Sequence, residues 1–309
     1  RRRRPGPGAH PRPAYRPETY QQQVYAPIGY RVDFGEQMRL AGFAILPPDV
    51  SSTAVQPGDA VDVVLEWEAV EPMARNWSVF VHLIDPVLGV PIAQRDMYPG
   101  QGLRPTTFLR PGEKVTNVYR LTIPETAVAP ANLLVSVGVY DFATGERLQT
   151  AAGEDSVVLA VLDLTPEPGD VPNPTQINFG NKMMLVGFEL KPRRTEPGAM
   201  VELVLYWRGR SGLDADYTIF AQALAEDTTR WAAYDLFPPG GTAVWQPGEL
   251  QTTLMPLTIA PETPPQVYPL IIGVYTRTED GDFHRLQLVT EDGRITQEDF
   301  LELTKVRVD

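Results

Sequence analysis

The chain has 309 residues and no cysteine, enough for two domains of ordinary size and incompatible with a disulfide framework or a thiolate metal site. Its formal charge of −12 is uneven: residues 1–31 hold seven arginines against Glu18, and removing that segment's +6 leaves −18 on the remainder. A body that acidic, without a stripe of interleaved basic and aromatic residues, repels phosphate and excludes nucleic acid as a partner.

Residues 1–31 read as a basic, proline-rich tether. Pro5, Pro7, Pro11, Pro13, Pro17 and Pro27 remove backbone donors, and low hydrophobicity gives the segment no reason to collapse. Tyr15, Tyr20, Tyr25 and Tyr30 recur every five residues, a period of neither helix nor strand. Arg1 to Arg4 run into Pro5-Gly6-Pro7-Gly8, unlike a signal peptide. They suit the basic flank of a transmembrane helix as well as a disordered start, and an opening arginine suggests a fragment or a processed product. No apolar run approaches the roughly 18 residues of a membrane helix.

From residue 32 the sequence states one pattern twice. Val32-Asp33-Phe34-Gly35 to Leu40-Ala41-Gly42-Phe43 returns as Ile177-Asn178-Phe179-Gly180 to Leu185-Val186-Gly187-Phe188. Leu65-Glu66-Trp67 returns as Leu205-Tyr206-Trp207, and Val137-Gly138-Val139-Tyr140 as Ile272-Gly273-Val274-Tyr275. The period is domain-sized, far above that of a solenoid. It predicts a domain over 32–164, a proline-rich spacer over 165–176 and a second domain over 177–309.

Within each copy, short β-rich runs alternate with turn signals. Val61–Trp67, Trp77–Ile84, Tyr119–Ile123, Leu133–Tyr140 and Val157–Leu162 are the strands of the first copy. Val201–Trp207, Tyr217–Phe220, Thr253–Ile259, Tyr268–Tyr275 and Thr304–Val308 are those of the second. Pro57-Gly58, Pro111-Gly112 and Pro247-Gly248 set turns, because proline fixes the first φ and glycine accepts a positive one. No segment shows a helical stripe over three turns. The predicted fold is all-β: two tandem antiparallel sandwiches, immunoglobulin-like or jelly-roll-like.

Candidate residues divide into core and surface. Trp67, Trp207, Phe80, Phe220, Tyr140 and Tyr275 are assigned to the core, since an aromatic ring buries a large apolar area. Gly138 and Gly273 interrupt strands and are expected to admit a neighbouring ring. Tyr98, Phe108, Trp231, Phe237 and Trp245 fall in or near loops, where they either bind a ligand or cover the end of the core. Phe108 and Trp245 are read as near-equivalents. Asp96 and Asp235, each before an apolar pair and proline, are read as turn caps. Asp280 and Asp282, with Glu279, are candidates for holding Ca²⁺, as is Asp85. His82 meets Gln222 in the other copy, which argues against a site shared by both. No zinc, phosphate-loop or serine-elbow spacing is present, so no catalytic residue and no cofactor is assigned.

Taken together, Asp33-Phe34-Gly35, Pro57-Gly58-Asp59, Leu65-Glu66-Trp67, Val79 to Leu83, Ala93 to Asp96, Arg104 to Thr107 and Gly138 to Leu148 resemble a known β-sandwich module. It follows the last membrane helix of dolichyl-phosphate-mannose-type glycosyltransferases from Chloroflexota-type bacteria and occurs in related exported proteins. The likeness covers residues 32–163 well and 177–309 less closely. It implies an extracytoplasmic, membrane-tethered or cell-surface location; with no catalytic constellation in the chain, the role expected is that of a non-catalytic accessory or structural module toward a protein or cell-surface glycan partner. A carbohydrate- or calcium-binding pair is one alternative, and a glycosidase with two facing carboxylates another.

Overall fold

The computed structural model describes residues 30–49, 52–210, 213–277 and 281–309. The tether lies outside them, except for Tyr30 and Arg31. Among the described residues, nine strands build domain 1: β1 Val32–Phe34, β2 Met38–Leu46, β3 Ala54–Val55, β4 Ala60–Ala69, β5 Ser78–Asp85, β6 Val90–Met97, β7 Lys114–Thr122, β8 Ala131–Tyr140 and β9 Val157–Leu164. Domain 2 repeats them as β10 Ile177–Phe179, β11 Met183–Lys191, β12 Arg194–Thr195, β13 Met200–Gly209, β14 Thr218–Leu224, β15 Arg230–Leu236 and β16 Leu250–Thr258. It ends with β17 Gln266–Arg277, β18 Phe283–Arg285, β19 Leu288–Val289 and β20 Leu301–Val308.

Strand order decides between the two sandwich types. In domain 1 one sheet runs β1-β2-β4-β7 and the other β3-β9-β8-β5-β6, with β3 joined to β9 in parallel. Domain 2 runs β16-β13-β11-β10-β19 and β12-β20-β17-β14-β15, with β12 parallel to β20 and β18 on β17. That is the immunoglobulin order, in which a short early strand crosses to the sheet of the last strand. Domain 2 adds a tyrosine corner: the Tyr268 hydroxyl, near the start of β17, donates to the Pro264 carbonyl at 2.7 Å. The equivalent residue in domain 1 is Leu133, which is buried.

Each sandwich has its own core, because strand alternation sends one face of each sheet inward. Trp67 and Trp207 lie at its centre, both fully buried and both opposite a leucine, Leu40 or Leu185, on the neighbouring strand. Phe34 meets the Trp67 ring at 5.6 Å and 57°, and Phe179 meets Trp207 at 5.7 Å and 58°. A bulge follows in both copies, between Leu40 and Gly42 and between Leu185 and Gly187. The duplication therefore extends to side-chain geometry.

Phe80, Phe220 and Tyr275 are buried as expected and Tyr140 is half-buried, but none of the four lies between the two sheets. Val79, Val81 and Leu83 point inward from β5, so Phe80 points out; Phe220 does likewise between Ile219 and Ala221. The four rings form small clusters on the outer faces.

The proline-rich spacer after Leu164 is pinned to domain 2. Thr175 donates its amide to Val186, and Phe188 donates to Pro172. Gly187 has no room for a side chain: a Cβ there would lie 2.6 Å from Val171. Asn173 ties both domains together. Its side-chain nitrogen donates to the carbonyls of Ala129 and Phe188, and its oxygen accepts the Ala129 amide at 2.8 Å.

Candidate functional site

The outer-face clusters are built from equivalent parts in both domains. Phe80 lies against Gly138 of the adjacent strand, and Phe220 against Gly273. Arg147 covers the Phe80 ring at 4.8 Å and pairs with Asp155; Arg285 covers Phe220 at 4.8 Å and pairs with Asp299. The Tyr140 hydroxyl donates to Asp96 at 3.1 Å, and the Tyr275 hydroxyl to Asp235 at 2.9 Å. Burial first, then the neighbouring carboxylate, holds both phenols above their ordinary range. Asp96 and Asp235 are thus strand residues opposite Phe80 and Phe220, not turn caps. Only domain 1 adds a histidine, with His82 Nε2 at 3.7 Å from Asp96 and its ring 4.6 Å from Phe80.

The register places three long loops at one end of domain 1. Ser78 pairs with Tyr140, Val79 with Met97 and Glu68 with Lys114, so loops 70–77, 98–113 and 141–156 share that end. They hold the exposed Leu103, Phe108 and Phe142. The matching end of domain 2 exposes Phe237, Val244, Phe283 and Ile295. Tyr98, the counterpart of Phe237, is half-buried, and Trp231 is half-buried against the second core.

Phe108 and Trp245 are not equivalent. Thr106 accepts the Trp77 amide at 2.9 Å, and Thr242 accepts the Tyr217 amide at 2.8 Å, which makes these threonines twins. Counting on, Trp245 matches Leu109, and both are buried; Phe108 matches Val244 and is 75% exposed. Covering the core therefore falls to Leu109 and Trp245, while Phe108 faces solvent. Phe142 and Phe283 were hidden in turn-like stretches, where a bulky ring beside Gly145 or Gly281 was the only signal.

The acidic candidates do not gather. Asp280 and Glu279 lie outside the described residues, and Asp282 is exposed. Asp85 is buried and engaged, accepting the Val87 amide at 2.8 Å and pairing with Arg193 at 3.0 Å. Among the described residues, no three His, Asp or Glu side chains are placed to hold a metal ion, and no helix is long and apolar enough to cross a membrane.

Strand order, twin cores and duplicated clusters define the class: a tandem of two immunoglobulin-like β-sandwiches. No family model and no curated protein matches the sequence. Among solved structures, a marsupial T cell receptor is similar over 86% of this chain and 73% of its own, at 10% identity and a TM-score of 0.23. At that score the likeness carries no argument.

Proposed function

We propose that the chain is a non-catalytic, extracytoplasmic accessory module that presents two loop ends, one per sandwich, to a protein or cell-surface glycan partner. The observation that carries this reading is the junction. Domain 1 contributes Asp85 at the end of β5 and Val87 and Val128 from the loops opposite its exposed end; domain 2 contributes Arg193 and Arg307, and Asn173 of the spacer holds Ala129. Arg193 follows β11, at the end of domain 2 away from Phe237 and Val244. The sandwiches thus meet base to base, and both sets of exposed apolar loop residues stay clear of the contact. Such residues stand ready for a partner without a change of shape. The extracytoplasmic placement rests on the resemblance of residues 32–163.

The test is binding of the labelled chain to arrayed bacterial polysaccharides and surface-layer proteins, with Phe108→Ser and Phe237→Ser beside it. Retention of the wild type, weakened at least tenfold by either substitution, is the expected result. Release of reducing sugar from any arrayed glycan would instead identify a glycosidase, and undiminished binding by both variants would remove the loop ends from the reading.

A further inference from the structure

We infer that each domain holds one binding site for a neutral polysaccharide, built from an exposed phenylalanine, the tyrosine beside it and that tyrosine's carboxylate. Both sites lie at the loop ends assigned above to a partner, so the choice of ligand depends on that function. In domain 1 the Phe142 ring, 74% exposed, stands 6.4 Å from Tyr140 at 51°. In domain 2 the Phe283 ring, 59% exposed, stands 5.2 Å from Tyr275 at 68°. Each tyrosine hydroxyl donates to Oδ2 of an aspartate on an edge strand, Asp96 of β6 or Asp235 of β15. Oδ1 of each aspartate accepts no hydrogen bond among the described residues.

The two rings reach the same place by different routes. Phe142 follows Tyr140 by two residues, and Phe283 follows Tyr275 by eight. The loops rejoin at Arg147 and Arg285, each of which pairs with its tyrosine. A ring inherited with the fold would stand at one aligned position. A ring supplied twice, from unaligned positions, answers a need at that spot. Shielding the tyrosine is not that need, since a ring kept as a cover gains by burying itself.

The chemistry of these groups selects the ligand. A pyranose has an apolar C–H face that can lie on a ring, and hydroxyls at its rim that donate to carboxylates. Acidic sugars are disfavoured by the carboxylates and by the −12 of the chain. Arg147 and Arg285 do not offset this, because they are engaged with Asp155 and Asp299. Arg277 lies over the Phe283 ring at 4.8 Å and takes one of its faces, which makes the site of domain 2 the weaker platform.

Repetition selects a polymer. The buried Asp85–Arg193 pair ties the domains together, so like sites are presented twice to a partner that must offer like groups twice. A chain of sugars does so along its length; one folded protein offers each of its surfaces once.

Isothermal titration of the full chain with soluble glucan, mannan and galactan, and with polygalacturonate as the anionic probe, tests the sites. Binding to at least one neutral polymer and none to polygalacturonate is expected. Phe142→Ser should weaken it about tenfold or more and Phe283→Ser less, since losing one site also removes the gain from holding both. The double variant should not bind. Phe142→Trp should bind like the wild type, which ties the loss to the ring, and unchanged thermal melts confirm folding. No binding to these neutral polymers, tighter binding to polygalacturonate, or wild-type affinity in the double variant would overturn the inference. If Phe108→Ser and Phe237→Ser lose partner binding while the Phe142 and Phe283 variants keep it, the loop ends still serve a partner and these two sites do not.

Discussion

Arg193 of domain 2 and Asp85 of domain 1 form an ion pair at 3.0 Å with both side chains only 4% exposed. Arg193 also donates to the Val128 carbonyl at 2.7 Å, and Arg307 donates to the Val87 carbonyl at 2.8 Å. Two charges buried together contribute little net stability, but removing one strands the other in a poor dielectric. Asp85→Asn keeps an acceptor for the Val87 amide and loses the charge, so its effect isolates the pair. It should destabilise the chain by about 3 kcal/mol, and Asp85→Asn with Arg193→Met should recover most of that. Urea denaturation measures both. If the single variant melts like the wild type, the pair does not hold the domains.

Gly138 and Gly273 face the ring edges of Phe80 and Phe220. A Cβ on Gly138 would lie 2.2 Å from Phe80, and one on Gly273 would lie 2.3 Å from Phe220. The Asp155 and Asp299 carbonyl oxygens also lie within 2.6 and 3.0 Å of these positions, so moving the ring alone does not clear the site. Gly138→Ala should cost about 1–3 kcal/mol, and adding Phe80→Leu should relieve part of it. Thermal unfolding of the two variants checks this. No relief in the double variant would place the strain in the backbone alone.

The readable parts of the sequence were those in which one residue type answers one physical need. Trp67 and Trp207, the paired glycines and the Pro-Gly turns belong here, because a core indole, a ring against a strand and a positive φ each admit few residues. The edge strands β6 and β15 were not readable. They pair on one side only and lie largely in solvent, so Val90–Met97 shows no inward alternation, and Asp96 passed for a turn residue. The junction left no local trace either: Asp85 and Arg193 stand 108 positions apart, one at the end of β5 and the other in the bend after β11, where a charged residue normally faces water. Phe108 and Trp245 look equivalent in sequence because the loop carries no register of its own; Thr106 and Thr242, which accept equivalent amides, set it.

Asp141 should make the exposed end of domain 1 sensitive to acid. The Ala143 amide, ahead of Arg75 and the Thr144 amide, holds this carboxyl below its ordinary range. A lowered folded-state pKa gives stability that is complete above the unfolded value, about 3.9, and is lost as pH falls through the folded one. Arg75 reaches Asp141 at 3.2 Å and Glu146 at 2.7 Å, so protonation loosens the tie between two loops. Protection of the Ala143 and Thr144 amides, taken as the exchange rate relative to that of an unstructured chain at the same pH, should fall below about pH 4 in the wild type. In Asp141→Asn protection should be low already at pH 7 and change little with acid. Equal exchange in the two proteins at pH 7 would show that the carboxylate does not order this turn.

The two core tryptophans differ in one bond, and that difference is measurable. Trp207 donates its indole N–H to the Thr253 hydroxyl at 3.1 Å. In domain 1 the position of Thr253 is held by Asn117, which faces Leu65 as Thr253 faces Leu205. Asn117 is already committed: its oxygen accepts the Gly100 amide at 2.8 Å, and its nitrogen donates to the Tyr119 hydroxyl. Trp67 Nε1 is left buried with no protein acceptor. Replacing either indole by phenylalanine removes the same volume from a similar setting, with Phe34 or Phe179 alongside. Trp207→Phe also breaks a bond and strands the threonine hydroxyl, whereas Trp67→Phe removes a donor that was costing free energy. Trp207→Phe should therefore be the more damaging by about 1–3 kcal/mol. Denaturant midpoints of the two variants, taken in the intact chain, give the comparison; a larger loss for Trp67→Phe would mean that its N–H finds an acceptor in solution.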